Sequence, residues 1–111
     1  MISILIIKSK QNIVSIEATG HSGYAESGSD IVCSAVSTLM QNLANGLTEV
    51  VKAKAKVIVD EDIPHLSVNL TELDAEKNKY AQMLMQTTIL SLKEIANGYG
   101  KFIKIKEKQN D

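Results

Sequence analysis

Apolar and polar positions alternate with two different periodicities along this chain, and these periodicities predict where strands and helices lie. Residues 2–7 form a nearly continuous apolar run that suits a buried strand, and residues 13–19 alternate as IVSIEAT, so the pair predicts a β-hairpin. Residues 54–60 and 65–71 predict a second hairpin, with a turn at residues 61–64.

Two longer segments place apolar residues three and four positions apart, which is typical of amphipathic helices. The first helix is predicted over residues 30–52 with Ser29 or Asp30 as its cap, and the second over residues 75–97 with Asp74 as its cap. The apolar stripe of the first comprises Val32, Val36, Leu39, Leu43, Leu47 and Val50. That of the second comprises Tyr80, Leu84, Thr87 or Thr88, and Leu92, with Met83, Ile89 and Ile95 beside it.

A short strand over residues 102–105 closes the predicted order, which is β-β-α-β-β-α-β. This order predicts an α/β protein of the α+β type, with a single mixed five-stranded sheet packed with two long helices. A chain of 111 residues is expected to form one domain, assigned to residues 1–106, and the polar residues 107–111 predict a C-terminal tail. The pattern leaves the order of strands within the sheet open.

Composition and charge narrow the class of protein. Apolar residues make up 44% of the chain and charged residues 23%, which is ordinary globular usage, and the net charge of −1 gives no basic footprint for direct contact with nucleic acid. A single cysteine excludes an internal disulfide and fits a reducing cytoplasm. No apolar run has the length needed to cross a membrane, and the first residues lack a signal-peptide pattern, so we expect a cytoplasmic protein without a membrane partner.

The candidate catalytic residues of the chain lie in residues 20–37, GHSGYAESGSDIVCSAVS. Cys33 falls in the first turn of the predicted helix, where the helix dipole and unpaired amides favour a thiolate anion. If the preceding loop folds back, His21 can take the thiol proton and later protonate an amine leaving group, while amides of the same turn stabilise an oxyanion. The alternative is a small cysteine buried in the core, because Cys33 lies beside the apolar stripe.

Other residues of this segment have two interpretations each. Asp30 either caps the helix or orients the imidazole of His21. Ser37, one turn after the cysteine, either donates a hydrogen bond to the sulfur or the substrate, or bonds back to a helix carbonyl. The glycines of the segment, Gly20, Gly23 and Gly28, permit positive φ in a mobile loop or form a plain connection.

Competing motifs fail on the residues present. The run GYAESGSD has the glycine spacing of a phosphate loop, but Ser29 and Asp30 stand where lysine and Ser/Thr are needed. One cysteine and two distant histidines do not make a zinc site, so no metal is expected. His65, at the start of a predicted strand, is the reserve candidate for the general base.

The segment G-H-x(8)-D-I-V-C-x-A-V-S resembles the ribosomal-processing cysteine protease family, Prp. The likeness extends over the whole chain, including its length, the hairpin before the motif, the two helices and the closing strand. The resemblance implies that His21 and Cys33 are the catalytic dyad, and that Gly20, Asp30 and Ser37 support or orient it. It also implies a mobile substrate loop, which includes Ser22, Gly23 and Gly28. Ser22 is a departure, because the family usually has alanine there, and its hydroxyl could bond the imidazole of His21.

What the resemblance implies about function is specific. Such proteins are cytoplasmic, cofactor-free homodimers that remove a short apolar N-terminal extension from the precursor of large-subunit ribosomal protein number twenty-seven. We therefore expect a cysteine endopeptidase with this precursor as its substrate. The alternative is a non-catalytic, ribosome-associated module that binds protein or RNA through its loop and an exposed sheet edge.

Overall fold

The computed structural model describes residues 1–26, 28–60 and 65–110, so the turn predicted at residues 61–64 lies outside the described part. Strands and helices occur in the predicted order, with one additional π-helical turn. The elements are β1 (Ile2–Ser9), β2 (Asn12–Thr19), α1 (Ile31–Asn45) followed by the π-helical turn (Gly46–Val50), β3 (Ala55–Asp60), β4 (His65–Leu70), α2 (Ala75–Gly98) and β5 (Ile103–Gln109).

The strands form one five-stranded sheet in the order β3-β4-β2-β1-β5. Neighbouring strands are antiparallel except for β1 and β5, which run parallel, so the sheet is mixed as predicted. The parallel pair is possible because α2 lies between β4 and β5 in the chain and supplies the crossover. The sheet order leaves β3 and β5 at the two edges.

Alternation along the strands directs one set of side chains to the core beneath the helices. Ile4 pairs with Ala18 and Ile16 pairs with Val68, and all four are buried, whereas Ser3 between Ile2 and Ile4 is exposed. Helix α1 contacts β4, and α2 contacts β2 and β5. The core thus lies between sheet and helices and draws mostly on aliphatic residues and methionine.

The first helix is confirmed near its predicted start, but it changes form before its predicted end. Regular α-helix stops at Asn45 and a π-helical turn follows, which leaves Val50 79% exposed instead of within the apolar stripe. Gly46 stands at this transition, where a Cβ would lie 2.9 Å from a methyl carbon of Leu84 in α2. The absent side chain lets the two helices approach closely.

The second helix begins at its predicted cap, Asp74, and its predicted apolar stripe is correct only in part, because Thr88, Ile89 and Leu92 are buried. Tyr80 and Met83 are exposed, and Leu84 is only partly buried. In the first half of the helix the buried positions are instead Ala81 and Met85, each one residue after a predicted one. Apolar residues occur on several sides of this helix, so spacing alone did not identify the face that meets the sheet.

The last strand is longer than predicted. β5 pairs with β1 through Gln109, so the residues expected to begin a tail at 107 continue the edge strand. Polar residues suit this position because an edge strand with one exposed face needs few apolar side chains. The lysines at positions 104, 106 and 108 are exposed on it.

Candidate active site

Asp30 fixes the start of α1 and thereby places the cysteine. Its backbone is extended, and its Oδ1 accepts hydrogen bonds from the N–H groups of Val32, at 3.0 Å, and Cys33, at 2.9 Å. Cys33 is therefore the third helical residue, half-buried, at the positive end of the helix dipole. This is the position that the sequence predicted for the nucleophile.

The loop that carries His21 folds back onto the sulfur. β2 ends at Thr19, Gly20 turns the chain with φ +90°, and the N–H of Ser22 then lies 3.4 Å from the Cys33 Sγ, to which it donates a hydrogen bond. That N–H belongs to the peptide bond between His21 and Ser22, so the main chain of the histidine residue reaches the thiol. The imidazole of His21 is exposed, and no described residue hydrogen-bonds to it.

The second oxygen of the Asp30 carboxylate holds the loop. Oδ2 accepts hydrogen bonds from the Ser22 hydroxyl and, at 3.3 Å, from the N–H of Ala25. Burial by itself raises the pKa of this carboxyl, but the hydrogen bonds from Ser22, Cys33, Ala25 and Val32 outweigh it and lower the pKa from 3.8 to about 2. Of the two interpretations of Asp30, the cap is the one that its contacts match, because none of these donors is His21.

Two expectations about hydrogen bonds at the site are wrong. The hydroxyl of Ser22 does not bond the imidazole; it donates to Asp30 and accepts from the N–H of Tyr24 at 3.1 Å. The first-turn amides expected to hold an oxyanion are already engaged. Those of Val32 and Cys33 donate to the Asp30 side chain, and that of Ser34 donates to the Asp30 carbonyl at 3.1 Å. A cap that satisfies these amides removes them from direct contact with substrate.

A cleft of about 700 Å³ opens beside Cys33 and His21. Its wall on α1 includes Ser37 and Gln41, which with Cys33 repeat every fourth residue along one helix face, and the Ser37 Oγ accepts a hydrogen bond from the Gln41 Nε2 at 3.0 Å. The opposite wall comes from the second hairpin and includes the apolar side chains of Val59 and Leu66. Gly20, Gly23, Gly28 and Asp30 also border the cleft.

His65, the reserve candidate for the base, borders the same cleft at the start of β4. Its Nε2 is buried and, within the part of the chain that the structure describes, has no hydrogen-bond partner. This nitrogen therefore makes no hydrogen bond to Cys33, and the role of His65 as a reserve base stays a prediction.

Aromatic packing fixes the outer side of the loop that carries His21. Tyr24 meets the rings of Tyr99 and Phe102 edge to face, with centroids 5.6 and 5.3 Å apart. Both partners lie between α2 and β5, so the loop is tied to the end of the fold as well as to α1. Gly23 and Gly28 both have positive φ, as their place in the loop predicted.

Sequence reasoning missed the far wall of the cleft and the contacts of Ser22. The sequence could have predicted that Gln41 lines the cleft, because Gln41 follows Cys33 and Ser37 at helical spacing. It could not have predicted this for Val59 and Leu66, because only the pairing of β4 with β2 brings them to the cysteine. Among the described residues, no group of His, Cys, Asp and Glu side chains could hold a metal ion, and no helix is long and apolar enough to cross a bilayer.

Comparison with known proteins agrees with this geometry. The family model for cysteine protease Prp matches residues 1–104. The ribosomal processing cysteine protease Prp of Bacillus subtilis is 31% identical over 90 residues, which cover 80% of each chain. The crystal structure of SMU.848 from Streptococcus mutans has a TM-score of 0.86 and 32% identity, and the match covers 99% of this chain and 96% of that one.

The same fold occurs in the ribosomal processing protease Prp from S. aureus, solved with a covalently linked product peptide. Its TM-score is 0.87 at 23% identity, with 97% of this chain and all of that chain covered. Because a whole-chain family match and a 31% identical relative coincide with a cysteine at a helix start, this chain belongs to the cysteine protease Prp family, whose members are ribosomal-processing enzymes.

Proposed function

We propose that Cys33 and His21 are the catalytic dyad of this protease, and that its substrate is the precursor of large-subunit ribosomal protein number twenty-seven. The observation that carries the dyad is the 3.4 Å hydrogen bond from the Ser22 N–H to the Cys33 Sγ, because it holds the residue next to His21 against the thiol. The exposed His21 side chain borders the same cleft as Cys33, and the proposed reaction requires its imidazole to turn toward the sulfur. The S. aureus protease was solved with a covalently linked product peptide, which agrees with a reaction through a covalent intermediate.

The proposed reaction has two halves. His21 takes the proton of the Cys33 thiol, the sulfur forms a bond to the scissile carbonyl carbon, and the imidazolium returns the proton to the departing amine as the C–N bond breaks. Water then attacks the thioester while His21 takes one of its protons, and the imidazolium returns that proton to the sulfur as the C–S bond breaks, which restores the thiol and releases a carboxylic acid that ionises in water. The N-terminus of α1 faces the developing negative charge with the positive end of its dipole.

The cleft suits an extended peptide with apolar side chains. Val59 and Leu66 give it an apolar wall, and Ser37 and Gln41 give the opposite wall groups that can hydrogen-bond to a main chain. An apolar N-terminal extension matches this combination.

We also propose that the enzyme acts in the cytoplasm and that it is a homodimer. Sedimentation at several protein concentrations tests the homodimer.

The test is cleavage of a peptide that spans the junction between the extension and the mature ribosomal protein, followed by mass spectrometry. We expect one cut, and loss of roughly 10³-fold or more in kcat/KM for Cys33→Ala and for His21→Ala. His65→Ala is the matched control for the imidazole and should retain activity. Equal losses for His21→Ala and His65→Ala would contradict the assignment of the base.

A wild-type protein that binds this peptide in stoichiometric amounts without cutting it would contradict the proposed substrate. Cleavage by Cys33→Ala at the wild-type rate would contradict the proposed nucleophile.

A further inference from the structure

Ser22 differs from its neighbours in the catalytic loop. It is only 3% exposed, whereas Gly23, Tyr24 and Ala25 are all exposed. Its hydroxyl and its N–H are both paired: the hydroxyl donates to Asp30 and accepts from Tyr24, and the N–H donates to the sulfur of Cys33. A buried hydroxyl that both donates and accepts a hydrogen bond restricts the position of the main chain that carries it.

We propose that Ser22 is a positioning residue for catalysis: its hydroxyl, held by the Oδ2 of Asp30, aims its own N–H at the Cys33 Sγ and so stabilises the thiolate. This proposal rests on the proposed function, because it requires Cys33 to be the nucleophile. A hydrogen bond to an ionised acceptor is about twice as strong as one between neutral groups, so an N–H fixed at the sulfur favours the anion over the thiol.

The arrangement of donors explains why this N–H matters. The amides of Val32, Cys33 and Ser34 are all taken up by Asp30, so the helix start supplies the sulfur with its dipole but not with these N–H groups. Within the described residues, the Ser22 N–H is the donor found at the Sγ. Asp30 thus serves two elements with its two oxygens, the helix with Oδ1 and the loop with Oδ2.

The two functions of Asp30 can be separated by substitution. Asp30→Asn keeps one oxygen to cap α1 but replaces the loop-side acceptor with an amide group, and Ser22→Ala removes the hydroxyl without touching the cap. The matched control is Asp74→Asn, because Asp74 caps α2 with the same pair of hydrogen bonds, from Glu76 at 2.9 Å and Lys77 at 3.1 Å. Asp74→Asn therefore shows how the alteration of a helix cap far from the cysteine affects the measured rates.

The experiment measures alkylation of the single cysteine by iodoacetamide over the range of about pH 5 to 10, which needs no peptide cleavage. We expect Ser22→Ala and Asp30→Asn each to slow alkylation about fivefold near neutral pH, with rates converging with that of the wild type at the alkaline end. The double variant should be no slower than Asp30→Asn alone, because the two groups act through one hydrogen bond. Asp74→Asn should alkylate at the wild-type rate.

With the junction peptide as substrate, the same variants should lower kcat and leave KM within about twofold. Equal alkylation rates for the wild type and both single variants would overturn the proposal while leaving the dyad intact. Additive losses in the double variant would also overturn it, because they mean independent effects. If instead the wild-type thiol alkylates no faster near neutral pH than a free cysteine, the proposed nucleophile itself fails.

Discussion

The carbonyl oxygen of Met1 lies where a side chain of Gly20 would begin: a Cβ on Gly20 would be only 2.7 Å from it. This contact joins the residue after β2 to the residue before β1. The first residue of β1, Ile2, in turn donates a hydrogen bond from its N–H to the carbonyl of Phe102, the residue before β5, at 2.8 Å. The chain leaves the sheet at this point with φ +90°. The backbone at the end of β2 and at the starts of β1 and β5 therefore sets the direction in which the chain leaves the sheet toward His21.

Replacing Gly20 with alanine should damage both stability and activity. The Cβ collides with a main-chain atom, and positive φ strains any L-residue, so we expect the free energy of unfolding to fall by about 1–3 kcal/mol. Thermal denaturation measures the loss, and kcat/KM for the junction peptide should fall as His21 is displaced. Gly98→Ala is the control, because a Cβ there meets nothing within 4 Å, and alanine in a helix should leave stability unchanged or raise it by up to about 1 kcal/mol. Equal stability of both variants would refute the packing argument.

Asp30 should make stability depend on pH in the acid range. Its hydrogen bonds lower the pKa in the folded state to about 2, below the ordinary value of 3.8, so the folded state favours the carboxylate. The stabilisation is complete above about pH 5 and is lost as the pH falls from about 4 to about 2. The measurement is urea denaturation of the wild type and Asp30→Asn at several pH values.

The difference in unfolding free energy between the two proteins should be constant near neutrality and should shrink below about pH 4. Asp74→Asn should show a change of the same sign, because hydrogen bonds from Lys77 and Glu76 also lower the pKa of Asp74. A difference for Asp30→Asn that persists undiminished to about pH 2 would contradict the role of its carboxylate.

The sequence predicts most of this fold because the spacing of apolar residues and the residue types at turns and caps depend only on residues that are close together in the chain. Strand alternation, the two capping aspartates and the glycine loop identify every regular element except the π-helical turn. The position of Cys33 follows from the Asp30 cap in the same way. Information that depends on tertiary contacts is not local. The second oxygen of Asp30 and the wall formed by Val59 depend on how the loop and the second hairpin pack, and no spacing in the sequence encodes either.

The face of α2 is the clearest case in which packing overrides spacing. Met83 and Met85 are two positions apart, yet the first is 60% exposed and the second fully buried. Met85→Ala should lower the free energy of unfolding by about 2–5 kcal/mol, because it leaves a cavity among core side chains. Met83→Ala should change it by less than about 0.5 kcal/mol. Chemical denaturation of the two variants decides the matter, and comparable losses would mean that the helix is rotated.

The apolar wall of the cleft should determine how well an apolar substrate binds. Val59 faces the cleft from β3, while its neighbour Ile58 alternates to the other face of that edge strand, and both are already partly open to solvent. Val59→Asn should raise KM for the junction peptide about five- to tenfold with little change in kcat, because it removes apolar contact made equally in the ground and transition states. Ile58→Asn is the matched control and should leave KM unchanged. Iodoacetamide should modify Cys33 at the wild-type rate in both variants, since this small reagent does not use the wall. If Ile58→Asn raises KM as much as Val59→Asn does, the substrate does not lie along the cleft beside Cys33.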